Sequence, residues 1–349
     1  MYSEENKRLD ADYRRLWKIC FPDDTDEFIR FYFERKFMPE NSVSLYKGNN
    51  LIAAMMMLPY PFSFYTYKQS TAYISGACTI PDERGKGYMT TMMQNAIKYA
   101  SEKDFTFTAL IPQEDWLYSY YSKFGYSEIF QSAFEEYSIK YPINNSNITQ
   151  VEGKEASVCF DELYYYFNSH ANSRDFTFLH DRYDFSTILE DLFIAEGKFF
   201  VSRNSDNQID GMMFTVAGDD KDSVRVYELF ADSSDIKNHL LQTAGNHWKR
   251  KSLICKSPNV GNYFKKSGML RIINALKALQ IYAKNNPEQT FEIYLTDDLL
   301  EINNGYFSVK DGNCKQSTMP TSSNCREIGI QQLPTLIFPQ HPYISLMLD

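Results

Sequence analysis

Between Met89 and Ala100 apolar side chains recur at Met89, Met92, Met93, Ala96, Ile97 and Ala100, the three-and-four spacing of one helical face. That stripe predicts a helix laid against a sheet. The period changes on both sides: "STAYISGACTI" before it reads as a strand ended by Pro81, and "DFTFTALIP" at 104 to 112 reads as the next strand. "DWLYSYYSKF" then predicts a short helix and "GYSEIFQSAFEEYSI" a closing strand. Strand, loop, helix and strand, with no room for a second sheet, predict a right-handed crossover between parallel neighbours.

Upstream, residues near 10 to 37 predict two helices, "YRRLWKICF" and "DEFIRFYFERKF", the second opened by Asp24 with Glu27 three residues on. "SVSLYKG" and "NLIAAMMMLPYPFSFYTY" flank a Gly-Asn-Asn turn at 48 to 50 and predict a hairpin. Downstream, "SVRVYELFADSSDIKNHLLQTAGNHW" repeats strand, loop and helix, and "YYSKFGY" at 120 to 126 returns as "YFKKSGM" at 263 to 269. "RIINALKALQIYAKN", "TFEIYLTDD", "NGYFSVKDG" and "EIGIQQLPTLIF" complete a small α+β unit.

A chain of 349 residues exceeds one ordinary core, and 43% hydrophobic with 16% aromatic residues leaves no case for disorder. The polar start "MYSEENKRLDADYRRLW" has no apolar stretch of signal-peptide kind, and the longest apolar run, "LIAAMMMLPYPFSF", is short and broken by Pro59 and Pro61. The expectation is a cytoplasmic protein without membrane contact. Cys20, Cys78, Cys159, Cys255, Cys314 and Cys325 lie far apart without a CxxC pair, and His170, His180, His239, His247 and His341 show no metal spacing, so no metal and only reduced, structural thiols are expected. A net charge of -9 with no Lys/Arg block argues against nucleic acid and suits a cationic small molecule.

The candidate chemistry sits at the start of the Met-striped helix. A loop entering a helix through Arg84, Gly85, Lys86 and Gly87 aims free backbone N–H groups at one spot, where glycine admits a ligand and the helix dipole favours negative charge. It should hold a pyrophosphate. A Walker loop would need GKS or GKT, and a dinucleotide fold GxGxxG after its first strand; neither is present. The matching loop of the second copy, "ADSSDI", has neither glycine nor basic residue, so that copy is expected to have lost the site.

"IPDERGKGYM" resembles the acetyl-CoA loop of the GCN5-related N-acetyltransferases (GNAT), R/Q-x-x-G-x-G/A, with Arg84, Gly87 and Met89 at the three motif positions and Met in place of the last small residue. With "YYSKFGY", the chain is similar to the enhanced-intracellular-survival (Eis-like) acetyltransferases. The resemblance implies an α+β chain of two tandem GNAT domains and a sterol-carrier-protein-like domain. The expected divisions are 1–145 for a catalytic domain, 146–285 for a degenerate second one and 286–349 for the last.

It further implies acetyl-CoA as cosubstrate and an amine acceptor, open among aminoglycoside, polyamine, peptide lysine and amino-sugar. Ala77, Cys78 and Thr79 would hold the pantetheine arm, Arg84, Gly85, Lys86, Gly87, Tyr88, Met89 and Thr90 the pyrophosphate, with Gln113 and Glu114 nearby. Cys78 itself reads as a small hydrophobe rather than a nucleophile. Tyr121, four residues before Gly125, takes the place of the acid that protonates the coenzyme A sulfur, with Tyr118, Tyr120 and Tyr126 as competitors. The α-carboxylate of Asp349, on the apolar tail of Ile344, Leu346, Met347 and Leu348, would act as base or orient the amine.

Asp26, Glu27, Phe28, Phe33, Tyr65 and Trp116 are candidate acceptor contacts, and a homo-hexamer is implied by the resemblance alone. Two other readings stand beside the acetyltransferase. One is a tandem-domain aminoacyl transferase of the peptidoglycan type, which would want a basic surface and no RGKG loop. The other is a non-catalytic acyl-CoA-binding module.

Overall fold

The structure is a computed structural model describing residues 3–139, 147–218, 220–258, 264–321 and 324–348. Helices α1 (Glu4–Cys20) and α2 (Asp26–Lys36) precede strands β1 (Ser42–Lys47), β2 (Asn50–Phe64) and β3 (Tyr67–Thr79). Then come α3 (Tyr88–Glu102), β4 (Phe107–Leu110), α4 (Asp115–Ser122) and β5 (Ser127–Ser138). A second series follows: β6 (Ile148–Val151), α5 (Gly153–Val158), α6 (Phe160–Asn172), α7 (Arg182–Ile194), β7 (Lys198–Arg203), β8 (Ile209–Ala217) and β9 (Ser223–Ala231). It closes with α8 (Ser234–Trp248), β10 (Ser252–Pro258) and β11 (Phe264–Ile272). Last come α9 (Ala275–Asn285), β12 (Phe291–Thr296), β13 (Gly305–Lys310), β14 (Asn313–Ser317), β15 (Cys325–Gly329) and α10 (Leu333–Ile337).

Contacts divide the chain into two compact units, residues 1–130 with 267–342 and residues 131–266 with 343–348. Residues 286–342 lie in the first of these units, where Arg271 at the end of β11 is bonded to Asp297 and to the Phe124 carbonyl. Described residues of the expected third segment do build a sheet of their own, ordered β14-β13-β12-β15, with β12 and β15 parallel.

In the first unit β1, β2, β3 and β4 run side by side, and β11 joins β4 through Met269 to Ile272. The β1–β2 register ends at Met56, so Pro59 and Pro61 lie where β2 has lost that neighbour and their missing N–H groups cost no ladder bond. β3 and β4 are parallel, as the crossover predicts. Met92, Met93, Ala96, Ile97 and Ala100 of α3 are fully buried against the sheet; burial of each Met or Ile contributes about 1.5–3 kcal/mol. The cap of α2 differs from expectation: Thr25 accepts from the Phe28 N–H, while Asp24 accepts from the indole of Trp17 at 2.7 Å.

The second unit orders its strands β5-β10-β9-β8-β7-β6, with β9 and β10 parallel around the crossover helix α8. Its aromatic core gathers Phe167, Phe185, Phe199 and Phe214. The repeat of "YYSKFGY" does not hold as structure. Residues 120–126 end α4 and turn, whereas 264–269 are already strand β11.

Candidate active site

The site is built where two parallel strands part. β3 and β4 pair only at Thr71 to Tyr73 with Phe107 to Ala109; β3 then runs on to Thr79 while β4 stops at Leu110. The pairing of β3 with β2 shifts at the same place, between Ala54 and Met56, leaving Gly76 and Ala77 as a bulge. Gly76 has φ +61, and a Cβ there would stand 2.3 Å from the Trp17 ring. Tyr32 meets Ser75 at 2.6 Å, so α1 and α2 clamp the bulge from one face. Ala77, Cys78 and Thr79 therefore lie on a strand edge that β4 leaves uncovered, and such an edge offers backbone groups to an extended ligand.

The strand ends at Pro81 in a single 3-10 turn, Pro81–Glu83, and the chain enters α3 through Gly85 and Gly87 at φ +74 and +84. Both are in the left-handed region that favours glycine, and a Cβ at either would meet nothing within 4 Å. Gly87 caps α3 without a side-chain hydrogen bond and no acidic residue stands in the first turn, so the N–H groups of Tyr88, Met89 and Thr90 face outward uncapped.

The two loop cations are held inside the loop. Arg84 donates from Nε to the Thr79 carbonyl at 3.0 Å, and Lys86 donates to the Asp82 carbonyl and to Glu83. Glu83 also receives Lys47 at 2.8 Å, and these two lysines hold its carboxyl below the usual range. Any anion here is thus met first by backbone N–H groups and the helix dipole. Cys20 and Cys78 share a thiol–thiol hydrogen bond, which together with burial pushes Cys78 up and, against the burial of Cys20, holds Cys20 down.

Helix α4 and the turn after it carry the tyrosines. Tyr126 is fully buried and accepts from Thr108 at 2.9 Å, and Tyr120 bonds the Thr90 hydroxyl in the first turn of α3. Tyr121 is buried against Tyr120 and Tyr126 at 5.4 and 6.2 Å, and its hydroxyl makes no hydrogen bond among the described residues. Burial pushes its pKa up to about 12. A hydroxyl neutral at every physiological pH and uncommitted to protein is a donor in reserve. Gln113 is exposed in the loop after β4; Glu114 accepts from the exposed Trp116 indole at 2.6 Å.

Of the candidate acceptor contacts, Phe33 is core beside Trp17, and Tyr65 sits in the β2–β3 turn with its hydroxyl on the Ile337 carbonyl, so neither is available. Asp26 is paired with Lys18, and Glu27 is exposed. Asp349 lies outside the described residues. The tail before it docks on the second unit, with the Tyr343 N–H on the Phe176 carbonyl and Ile344 and Leu348 buried. Two structural features escaped the sequence reading: the Gly76 bulge, signalled by a glycine inside a strand pattern, and the buried cation of Arg271, which no periodicity marks.

Residues 7–129 match the family model described as an acetyltransferase (GNAT) domain. No curated protein matches the chain. Among solved structures, a GCN5-related N-acetyltransferase from Anabaena variabilis is similar with a TM-score of 0.75 and 18% identity, covering 99% of this chain and 98% of its own. A probable N-acyltransferase from Enterococcus faecalis gives 0.72 and 15%, covering 94% and 86%. Eis1 from Mycobacterium abscessus gives 0.67 and 11%, covering 97% and 88%.

Residues 7–129 thus carry a GNAT acetyltransferase domain, which supports an activity of the acyltransferase class. The fold of the chain is the mixed α+β architecture of tandem GNAT chains such as that Eis1. An acyl-CoA cosubstrate fits the residues present, since the uncapped helix start lies open above Gly85 and Gly87 beside the free edge of β3.

Proposed function

We propose that the chain transfers an acetyl group from acetyl-CoA to a primary amine, borne by a cationic small molecule of aminoglycoside or polyamine kind or by a lysine. The observation that carries this reading is the outward-facing, uncapped start of α3 reached through two left-handed glycines beside the uncovered edge of β3. Backbone N–H groups of Gly87 to Thr90 hold the pyrophosphate, and the Ala77 to Thr79 edge lies along the pantetheine arm. The bound thioester supplies the activated acetyl carbon.

Attack by the amine nitrogen forms the C–N bond and expels the sulfur with the electrons of the C–S bond. Tyr121 donates its hydroxyl to that sulfur. With a pKa of about 12 it gives up its proton to a thiolate of ordinary pKa near 8.5 only against a gradient of roughly 5 kcal/mol. Its work is therefore hydrogen-bond stabilisation of developing charge, with the proton on the product thiol drawn finally from the amine. The carboxylate of Asp349 takes or orients the ammonium proton. The net negative charge of the chain favours a cationic acceptor.

The α9 and β12 to β15 module is proposed to be sterol-carrier-protein-like, supported by its small sheet with one parallel pair and a packed helix. The test is release of free CoA thiol from acetyl-CoA against polyamines, aminoglycosides and lysine peptides. Release with an acceptor should fall about 100-fold or more in Tyr121→Phe with acetyl-CoA affinity unchanged. A variant as active as the parent would remove Tyr121 from the chemistry. No thermal shift with acetyl-CoA would remove the loop assignment.

A further inference from the structure

Two of the chain's six free cysteines meet. The buried face of α1, carried by Tyr13, Leu16 and Trp17, runs on to Cys20 at the end of the helix, and it touches β3 twice. Trp17 lies against Gly76, where a Cβ would stand 2.3 Å from its ring, and Cys20 lies against Cys78 with the two thiols hydrogen-bonded. Sulfurs already in contact need only a small shift to be joined. Both ends have room for one, since Cys20 is the last residue of its helix and Cys78 follows the bulge at Gly76 and Ala77.

The two thiols are not alike. Cys78 is 8% exposed, whereas Cys20 is only half-buried and within reach of solvent. The shared hydrogen bond, with burial, pushes Cys78 up; the same bond, helped by Arg84, holds Cys20 down against its own burial. The guanidinium of Arg84 also hydrogen-bonds the Cys20 sulfur, and that matters because a helix C-terminus by itself disfavours a thiolate. An accessible thiol supported by a cation, with a second thiol behind it, is the arrangement of an attacking and a resolving cysteine. Cys255 and Cys314 are as buried as Cys78, and burial pushes both up to about 12, which makes them inert.

The pair also borders the proposed cosubstrate site. Arg84 donates from Nε to the Thr79 carbonyl at 3.0 Å, and Cys78 lies on the Ala77 to Thr79 edge. We propose that Cys20 and Cys78 are an oxidisable pair that a hydroperoxide converts to a disulfide, and that this disulfide weakens acetyl-CoA binding; the second half rests on the acetyl-CoA reading above. The Cys20 thiolate attacks one peroxide oxygen, the S–O bond forms as the O–O bond breaks, and the departing hydroxide takes up a proton and leaves as water. The Cys78 sulfur then attacks the Cys20 sulfur, the S–S bond forms as the S–O bond breaks, and a second water carries off the Cys78 proton. Two thiols lose two electrons and the peroxide gains them. The new bond draws Cys78 toward α1 and takes the Cys20 sulfur from Arg84, so the edge and the start of the loop are both disturbed.

The experiment treats the full chain with hydrogen peroxide, blocks remaining thiols, digests without reductant and reads the peptides by mass spectrometry. A Cys20–Cys78 linked peptide is expected, formed about tenfold or more faster than Cys255 or Cys314 is modified and lost on adding dithiothreitol. In Cys78→Ser, dimedone should trap a sulfenic acid on Cys20; in Cys20→Ser, Cys78 should react as slowly as Cys255. The oxidised chain should bind acetyl-CoA about fivefold or more weakly, and in glutathione buffers saturating acetyl-CoA should favour the dithiol by the same factor. Cys20→Ser should keep the parent's acetyl-CoA affinity with or without peroxide. Oxidation of Cys20 and Cys78 no faster than that of Cys255 and Cys314, or sulfinic acid on Cys20 in place of the cross-link, would overturn the pair. A cross-link with unchanged acetyl-CoA affinity would overturn the coupling. Failure of the reduced chain to bind acetyl-CoA would remove the cosubstrate reading and the coupling with it, while the cross-link still decides the pair.

Discussion

Asp297→Asn should be the most destabilising single change in the first unit, and more so than removal of its partner. Arg271 is 1% exposed, donates twice to Asp297 at 2.7 Å and once more to the Phe124 carbonyl. Asp297 has other donors: the Asn303 amide at 2.8 Å and the N–H groups of Leu299 and Leu300 at 3.0 and 3.3 Å. With Asn at 297, the guanidinium keeps its full charge in the interior and cannot shed a proton to escape.

With Met at 271, the carboxylate keeps three donors, from Asn303, Leu299 and Leu300, so its charge is not left bare. Breaking a buried pair costs about 3–5 kcal/mol; we place Asp297→Asn near 4 and Arg271→Met near 2–3 kcal/mol. The double variant should lose at least about 1.5 kcal/mol less than the sum, because each single change strands a partner that the double one does not. Urea denaturation followed by far-ultraviolet circular dichroism reads the midpoint, with a constant slope checking that only stability has moved. Strict additivity, or a milder Asp297→Asn than Arg271→Met, would refute the reasoning.

Gly76→Ala combines a left-handed φ with a Cβ 2.3 Å from the Trp17 ring, so a loss of about 2–4 kcal/mol with altered tryptophan emission is expected on denaturation. Gly87→Ala has open space around its Cβ, so it should cost only about 1–2 kcal/mol of stability while raising the KM for acetyl-CoA about tenfold or more, read by thiol-release kinetics. An acid must be protonated to donate and Tyr121 loses its proton only near pH 12, so a kcat/KM profile from pH 6 to 10 should show no falling limb that Tyr121→Phe removes.

Much of the first unit is legible in its residues. The α3 stripe, the parallel pairing of β3 with β4 and the glycine entry to α3 all rest on local periodicity and turn chemistry, which act over a few residues. What sequence hides is set by distant partners. Thr25 rather than Asp24 caps α2 because Asp24 is drawn away by Trp17, and Phe33 and Tyr65 look like ligand contacts until the core and turn that hold them are seen. The recurrence of "YYSKFGY" misled because the same mix of aromatic and basic residues serves a helix end at 120–126 and a strand at 264–269. That Lys86 also pairs with Glu83 is not written in the glycine-rich pattern that marks it as a phosphate ligand.

Strand β11 supplies Met269 to Ile272 to the first unit's sheet, and Arg271 of that strand waits for Asp297. A ribosome releasing the chain therefore exposes residues 1–130 long before the pieces that finish their sheet exist, at roughly 5–20 residues per second. The acyltransferase half is completed by what is synthesised after its neighbour. Until then the β4 edge is open to other chains, and the long sequence separation of the missing contact makes closure slow. Release of residues 1–145 alone would give a fragment with an unfinished edge, prone to self-association, so the catalytic unit is obtained by keeping the chain whole.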